Sequence, residues 1–352
     1  MSWRIYPATE FEQFGDTWRK LQIASGHCSL MELDFVAPLL ANFGSGKELL
    51  AVHESKNLVD AAALVVRKKH GIWETWQPSQ SPVGLWLQRP EQSPEQLLPK
   101  LMSALPGFAL GVAVTQQDSD IVPRIQDTDT LRTLDYIQTA RVSIKSSFDE
   151  YWSQRGKNLR QNIKKQKNSL AKDGITPRLE VVTAPEDIPQ ALHDYASLES
   201  VGWKATTGTA IREDNDQGRF YMEMLTRFAR AGRTRIYRYR FNEKVVAVDM
   251  CIETDDQMVV LKTTYDETIR SVSPATLLRH DYFQTVFNEG RIKRIEFYGK
   301  VMNWHTKWTD EFRTIYHINC YRWTWLPRLR GLLSRGERAA KLEEKTGDTE
   351  TP

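Results

Sequence analysis

The stretch Val260–Gly290, VLKTTYDETIRSVSPATLLRHDYFQTVFNEG, is where side chains and backbone could together hold an anion. Alternation from Val259 to Thr264 predicts a strand at least half buried, and Arg270–Val272 a polar turn. Ser273 suits an N-cap, Pro274 a first helical position and Gly290 a C-terminal stop. Leu278, Tyr282 and Val286 recur every four residues, so one helix face is apolar. A helix that starts abruptly after a strand offers unpaired backbone N–H groups and the positive end of its dipole, which suits a phosphate. Most such joints bind nothing, so the surrounding elements must decide. Two carboxylates also stand out, Asp249 inside VVAVDMCIE and Glu296 inside RIEFYG, because strands disfavour them.

The chain has 352 residues, enough for two cores, with an ordinary 40% hydrophobic and 26% charged content. A net charge of +3 argues against wholesale coating of nucleic acid but leaves room for a basic patch. Cys28, Cys251 and Cys320 are widely separated, without metal-ligand spacing, which fits a reducing compartment and no metal. The N-terminal MSWRIYPATEFEQF is no secretory signal, and no apolar run reaches the twenty or so residues of a membrane span. The expectation is a cytoplasmic protein.

These features must be positioned by the elements around them. Helices are predicted over Phe11–Ala24 and Asp34–Phe43, then a meander of strands over Glu48–His53, Leu58–Arg67 and Ile72–Gln77. A loop at Pro78–Gly84, a short strand at Leu85–Leu87, a helix over Ser93–Ala104 and a strand over Phe108–Thr115 follow. After a strand at Tyr136–Ile144, Ser147 caps a long helix from about Phe148 to Lys172. Its apolar stripe is narrow (Trp152, Leu159, Ile163, Leu170). Arg155, Lys157, Arg160, Lys164, Lys165, Lys167 and Lys172 lie along it without one acid from Arg155 to Lys172. Exposed helices normally mix signs, so this face is either merely solvated or awaits an anionic acceptor, an acyl carrier protein, a membrane surface or RNA. A strand at Leu179–Thr183, helices over Ile188–Ser200 and Phe220–Ala231, and a polar loop at Val201–Arg219 come next. A second meander runs through Thr234–Arg240, Lys244–Glu253 and Met258–Tyr265. Strands at Ile292–Tyr298 and Phe312–Trp323 close the folded part. LLAVHESKNLVDAAALVV and TRIYRYRFNEKVVAVDMCI share one pattern, which suggests two copies of a mixed α/β unit with the first degenerate. The expected division is a first lobe over 1–140, a second over 141–325 and a basic tail over 326–352.

The order of the second half resembles the GNAT acetyltransferase fold. That fold seats the pyrophosphate of an acyl-coenzyme A at such a mouth, with a loop of pattern Q/R-x-x-G-x-G/A. Here the loop reads Arg270-Ser271-Val272-Ser273-Pro274-Ala275, with serine where the pattern has its central glycine. Four stretches are similar to the CelD-like acetyltransferase family, which shares a double-GNAT architecture with FemAB peptidyltransferases: SSFDEYWSQRGKNLRQNIKKQKNSLAKDG, ESVGWKATTG, LKTTYDETIRSVSPATLL and IEFYGKVMNWHTKWTDE. The resemblance implies two α/β (α+β) lobes, each a mixed, largely antiparallel sheet flanked by helices. It also implies direct transfer of an acetyl or longer acyl group from acyl-CoA to an amine or hydroxyl of an envelope polysaccharide, amino sugar or related metabolite.

Acyl transfer needs an acceptor that loses its proton, a stabilised oxyanion and a thiolate that leaves. Asp249 is either a base facing the acceptor cleft or a solvent-facing side chain, and Glu296 is the second candidate base. Tyr265 either protonates the thiolate or packs. Lys262, Arg270, Ser271, Ser273, Ala275 and Thr276 are the candidates for the cofactor; Lys262 is otherwise solvated. Trp203, Lys204 and His305 are the candidates for the acceptor, with Lys204 on an anionic group. No cysteine is placed as a nucleophile. Two alternatives remain. An aminoacyl-tRNA donor of the FemAB type is favoured by the basic helix and disfavoured by the lack of a helical-hairpin arm. A non-catalytic binding module is favoured by the missing glycine.

Overall fold

A computed structural model describes residues 2–56, 58–201, 211–212 and 214–327. Trp203 and Lys204 lie outside the described residues, as do residues 328–352.

The fold is mixed, mostly antiparallel and flanked by helices, as expected, but among the described residues the thirteen strands form one continuous sheet where a separate sheet in each lobe was expected. Its first half holds β1 (Ser2–Pro7), β2 (Leu49–Ser55), β3 (Leu58–Lys69), β4 (Ile72–Thr75) and β6 (Gly111–Asp118), with β5 (Trp86–Gln88) on the side of β3. The second half holds β7 (Leu131–Ser143), β12 (Arg294–Phe297), β11 (Gln257–Tyr265), β10 (Lys244–Glu253), β9 (Thr234–Phe241) and β8 (Pro177–Val182). β13 (Glu311–Tyr321) joins the halves, paired antiparallel with both β6 and β7. The helices are α1 (Gly15–Ala24), α2 (Leu33–Phe43), α3 (Pro94–Ala104), α4 (Phe148–Ser153), α5 (Lys157–Lys172), α6 (Ile188–Val201), α7 (Asp216–Arg230) and α8 (Pro274–Glu289).

The two halves repeat one topology. β2–β3–β4 is an antiparallel meander whose last strand pairs in parallel with β6 over three residues, Ile72–Glu74 against Gly111–Ala113. β9–β10–β11 is a second meander, and β11 pairs in parallel with β12 over three residues, Gln257–Val259 against Arg294–Glu296. Each crossover carries a helix opened by Ser then Pro, Ser93–Pro94 in α3 and Ser273–Pro274 in α8. Proline at that place costs no hydrogen bond, because the first N–H groups of a helix have no partner within it.

The ends of the parallel pairs differ. In the first half the loop after β4 is threaded into the gap. Gly84 donates to the Thr115 carbonyl at 3.2 Å, and the Gln117 side-chain amide donates to the Gly84 carbonyl at 3.1 Å. A β-carbon at Gly84 would stand 2.6 Å from Thr75 Oγ1 and 2.8 Å from Thr115 Oγ1, so only glycine fits there.

The expected long helix over 148–172 is instead two. Ser147 caps α4 as predicted, its hydroxyl accepting from Glu150 N at 3.3 Å. The chain then breaks at Gly156, whose ψ of 135° is extended and which serves as the N-cap of α5. Arg155 Nη1, just before the break, donates to the Trp308 carbonyl at 3.0 Å. Similarly, the expected helix over 11–24 begins as a 3-10 segment, Ala8–Phe14, before α1. β1, an edge strand at the N-terminus, is absent from the sequence-based reading.

Candidate functional site

β11 carries a bulge. Met250 stands opposite Lys262 and Cys251 opposite Val260, so Leu261 is an extra residue on β11. The bulge falls two residues past Val259, where pairing with β12 ends. From there, among the described residues, β11 has no strand partner on the β12 side, and the two strands part.

The space at this parting is a cavity of about 420 Å³ between the two halves. Val259–Lys262 of β11, Tyr298 and Gly299 after β12, Tyr136 of β7, Tyr221 of α7, Gln116 and the loop Gln77–Pro82 line it. Lys262 Nζ lies 5.8 Å from the centre of the Tyr221 ring, and the Tyr221 hydroxyl donates to Gln80 Oε1 at 2.9 Å. The lining is thus rich in amides and hydroxyls around one lysine.

Behind Tyr298 lies a buried charge network. Glu296 is 2.9 Å from Arg294 Nε and 2.7 Å from Arg313 Nη1, and Arg313 Nη2 donates to Asp118 Oδ2 at 2.6 Å. The Arg313 guanidinium sits 5.2 Å from the Tyr298 ring centre. Burial pushes the Glu296 carboxyl up to about 7 against the pull of Arg313 and Arg294. Burial would also raise Asp118, but its direct bonds to Arg313 win and hold it below the ordinary value. Burial lifts the Tyr298 hydroxyl well above the ordinary range, with Cys28, Asp118 and Glu296 adding to the effect.

Asp249 is placed neither in a cleft nor at solvent. It is fully buried beneath α8, its Oδ2 accepting from Arg279 Nη2 at 2.9 Å and from the Tyr282 hydroxyl at 3.1 Å. The reason is the alternation of β10. Val248, Met250 and Ile252 pack with α6 and α7, so Asp249 and Cys251 face the other way. Burial raises the Asp249 carboxyl, with Arg279 and Tyr282 opposing. His305 is joined to it through a packed column. The Arg279 guanidinium sits 4.1 Å from the Trp304 ring centre, and Trp304 stacks on His305 at 3.6 Å. His305 Nδ1 accepts from Met302 N at 2.9 Å, which holds the loop after β12. Burial, then Arg279, lowers its imidazole to about 4, so it is neutral near pH 7.

At the mouth of α8, Ser273 is the N-cap and Pro274 the first residue, as read from the sequence. The Ser273 N–H, however, donates to Gln166 Oε1 of α5 at 2.7 Å. Thr276 and Leu277 N–H both donate to the Ser273 carbonyl, and Thr276 Oγ1 is 2.8 Å from Ser273 Oγ. Pro274 has no N–H, so the mouth's remaining backbone donors are the amides of Ala275 and of Ser271 and Val272 in the turn before it. Arg270 and Ser271 are exposed. A diphosphate is normally gripped by several converging amides, and two of this mouth's positions do not offer one, Ser273 being engaged and Pro274 having none. Tyr265 is 42% exposed at the outer end of β11, beyond the cavity lining.

The structure therefore gathers Lys262 with Tyr298, sets Glu296 behind Tyr298, and leaves Asp249, His305 and the mouth on the α8 side. The cavity residues Gln77 and Gln80 from the first half and Tyr136 of β7, and the buried Arg279, Arg313, Asp118 and Gln166, were not singled out from the sequence. Gln166 had a signal, since it lies between Ile163 and Leu170 on an otherwise apolar stripe.

Residues 157–306 match the acetyltransferase (GNAT) domain family. No curated protein matches the chain. Among solved structures, a conserved protein of unknown function from Bacteroides thetaiotaomicron VPI-5482 superposes with a TM-score of 0.56 at 11% identity, over 91% of this chain and 99% of that one. FemX superposes with a TM-score of 0.56 at 9% identity, over 94% of this chain and 99% of that one. L-PGS from Bacillus licheniformis gives a TM-score of 0.53 at 12% identity, over 87% and 91%. These likenesses show a shared fold. Residues 157–306 thus match a GNAT-type acetyltransferase domain, within a fold that these solved structures share over most of their length. No helix among the described residues is long and apolar enough to cross a membrane.

Proposed function

We propose that this protein is an acyltransferase that moves an acyl group from a thioester, acetyl-CoA or a longer acyl thioester, to an amine or hydroxyl held in the cavity between the two halves. The observation that carries this reading is the parting of β11 from β12 beside a bulge, next to a polar cavity, inside the segment that matches the GNAT domain. An unpaired strand edge offers fixed N–H and C=O groups to an extended thioester arm, as an added strand would use them. The same N–H groups can stabilise the oxyanion as it forms.

In the reaction the acceptor nitrogen or oxygen attacks the thioester carbonyl carbon. A C–N or C–O bond forms, the C–S bond breaks, the acceptor gives up its proton and the thiolate takes one. In this reading Lys262 holds an anionic group of the acceptor and Tyr298 borders the reacting atoms on the β12 side; that both line the cavity supports it. Glu296 acts as a positioning residue, fixing Arg313 against the Tyr298 ring. In the same reading Tyr265 reprotonates a thiolate that leaves along β11, which its exposure on that strand supports. Asp249 serves the stability of the α8 face. The three cysteines are buried, which supports direct transfer. The acceptor class that suits the lining is a hydroxyl-rich metabolite or saccharide.

The test is steady-state transfer by Lys262→Met and Tyr298→Phe. Lys262→Met raises KM for the acceptor with thioester KM unchanged, and Tyr298→Phe lowers kcat. Wild-type kinetics in both variants would remove the cavity from the reaction.

A further inference from the structure

The mouth of α8 and the exposed face of α5 raise one question together: what anion accompanies the acyl group? With Ser273 N–H occupied and Pro274 lacking one, the mouth offers two fewer amides to the diphosphate of coenzyme A. α5 lies directly against it. Its buried side is Ile163, Gln166 and Leu170. Lys157, Arg160, Lys164, Lys165 and Lys172 are exposed, with no carboxylate in ion-pairing distance among the described residues, and Arg270 is exposed at the mouth itself. Among the described residues Lys167 is the one cation of the helix in an ion pair, with Asp281 at 2.6 Å. Elsewhere the arginines of β9 are paired, Arg235 with Glu289, Arg238 with Asp194 and Arg240 with Glu180. Exposed cations outside ion pairs also occur singly elsewhere among the described residues, as at Lys69, Lys100 and Lys300, but α5 gathers five of them on one helix.

Size decides between ligands. The 16 residues of α5 span about 24 Å, far more than a diphosphate covers. The strip is also bounded by exposed acids, Asp149 and Glu150 before it and Asp173 after it, which suits a compact acidic surface better than a long polyanion.

Resting on the acyltransferase reading, we propose that α5 is the docking surface for an acidic acyl-carrier protein, whose thioester arm, joined through a single phosphodiester, passes the α8 mouth into the β11–β12 parting. Charge complementarity of this kind acts mainly on encounter rate and orientation, and it weakens with salt.

The experiment uses the full chain with three probes: a purified acetyl-loaded bacterial acyl carrier protein, acetyl-CoA and bulk tRNA. Lys164→Glu/Lys165→Glu and the milder Lys164→Ala/Lys165→Ala are compared with wild type, with melting curves to confirm folding. The expected result is carrier binding that falls with salt, drops at least tenfold in the Glu variant and less in the Ala variant, while turnover of acetyl-CoA stays as in wild type. Equal carrier binding by all three proteins overturns the proposal. So does α5-dependent binding of tRNA without binding of the carrier. If no thioester is turned over by any protein, the acyltransferase reading fails instead, whatever the docking result.

Discussion

Gln166 Oε1 of the basic helix accepts the N–H of Ser273 at the mouth of α8, at 2.7 Å. A donor that the sequence offered to a phosphate is thus already used to fasten one helix to the start of another. Gln166→Ala leaves that N–H partly buried and unpaired, a loss on the order of 1–3 kcal/mol. The expected outcome is a lower midpoint in denaturant with an unchanged slope, together with tighter binding of free CoA by calorimetry, since a donor is released. Weaker CoA binding would mean that Gln166 itself contacts the ligand.

The first half is closed by Gly84. Gly84→Ala forces a methyl group against Thr115 and Thr75, and we expect a loss of about 3 kcal/mol or more, or failure to fold. Gly156→Ala, where the added carbon meets nothing within 4 Å, is the control and should shift stability by about 0.5 kcal/mol or less. Equal effects would contradict the threaded loop.

Glu296 gives a pH signature. Its carboxyl is raised by burial from 4.5 to about 7 in the folded state. The folded protein therefore holds more protons than the unfolded chain between these values, and stability falls as pH rises through that window. Asp118, held below its ordinary value of 3.8, contributes stability that is lost only on further acidification, outside the window. Glu296→Gln should flatten the slope between pH 4.5 and 7 relative to wild type. Parallel stability profiles would show that Glu296 ionises normally.

Asp249→Asn separates a structural carboxylate from a base. Arg279 is buried and would lose its charged partner, so a cost of about 3–5 kcal/mol is expected. At a temperature where the variant remains folded, its transfer rate should lie near that of wild type. A rate collapse without loss of stability would return Asp249 to the chemistry.

Much of this was readable because it is local. The strand, turn, Ser–Pro and Gly290 that frame α8 each act over a few residues, and all are where the periodicity put them. The repeat of the two meanders was visible as pattern and is realised in two three-residue parallel pairs. What the sequence hid is long-range. Which side Asp249 faces depends on which helices pack on each side of β10, and Lys262 reaches Tyr221 past a bulge that shows only when Met250 and Val260 are placed across from their partners. The helix break at Gly156 lost to a strong basic periodicity that ran through it. The cavity draws Gln77 and Gln80 from a loop some 180 residues before Lys262, and no spacing rule links them.

The most direct measurement is release of free thiol from acetyl-CoA and from an acetyl-loaded carrier protein, with and without a panel of amino and hydroxyl sugars, using wild type and Lys262→Met. The account predicts thiol release that depends on the acceptor and falls at least tenfold in Lys262→Met at subsaturating acceptor. Thiol release that ignores the acceptor, or none from either thioester, would contradict acyl transfer in the cavity between the two halves.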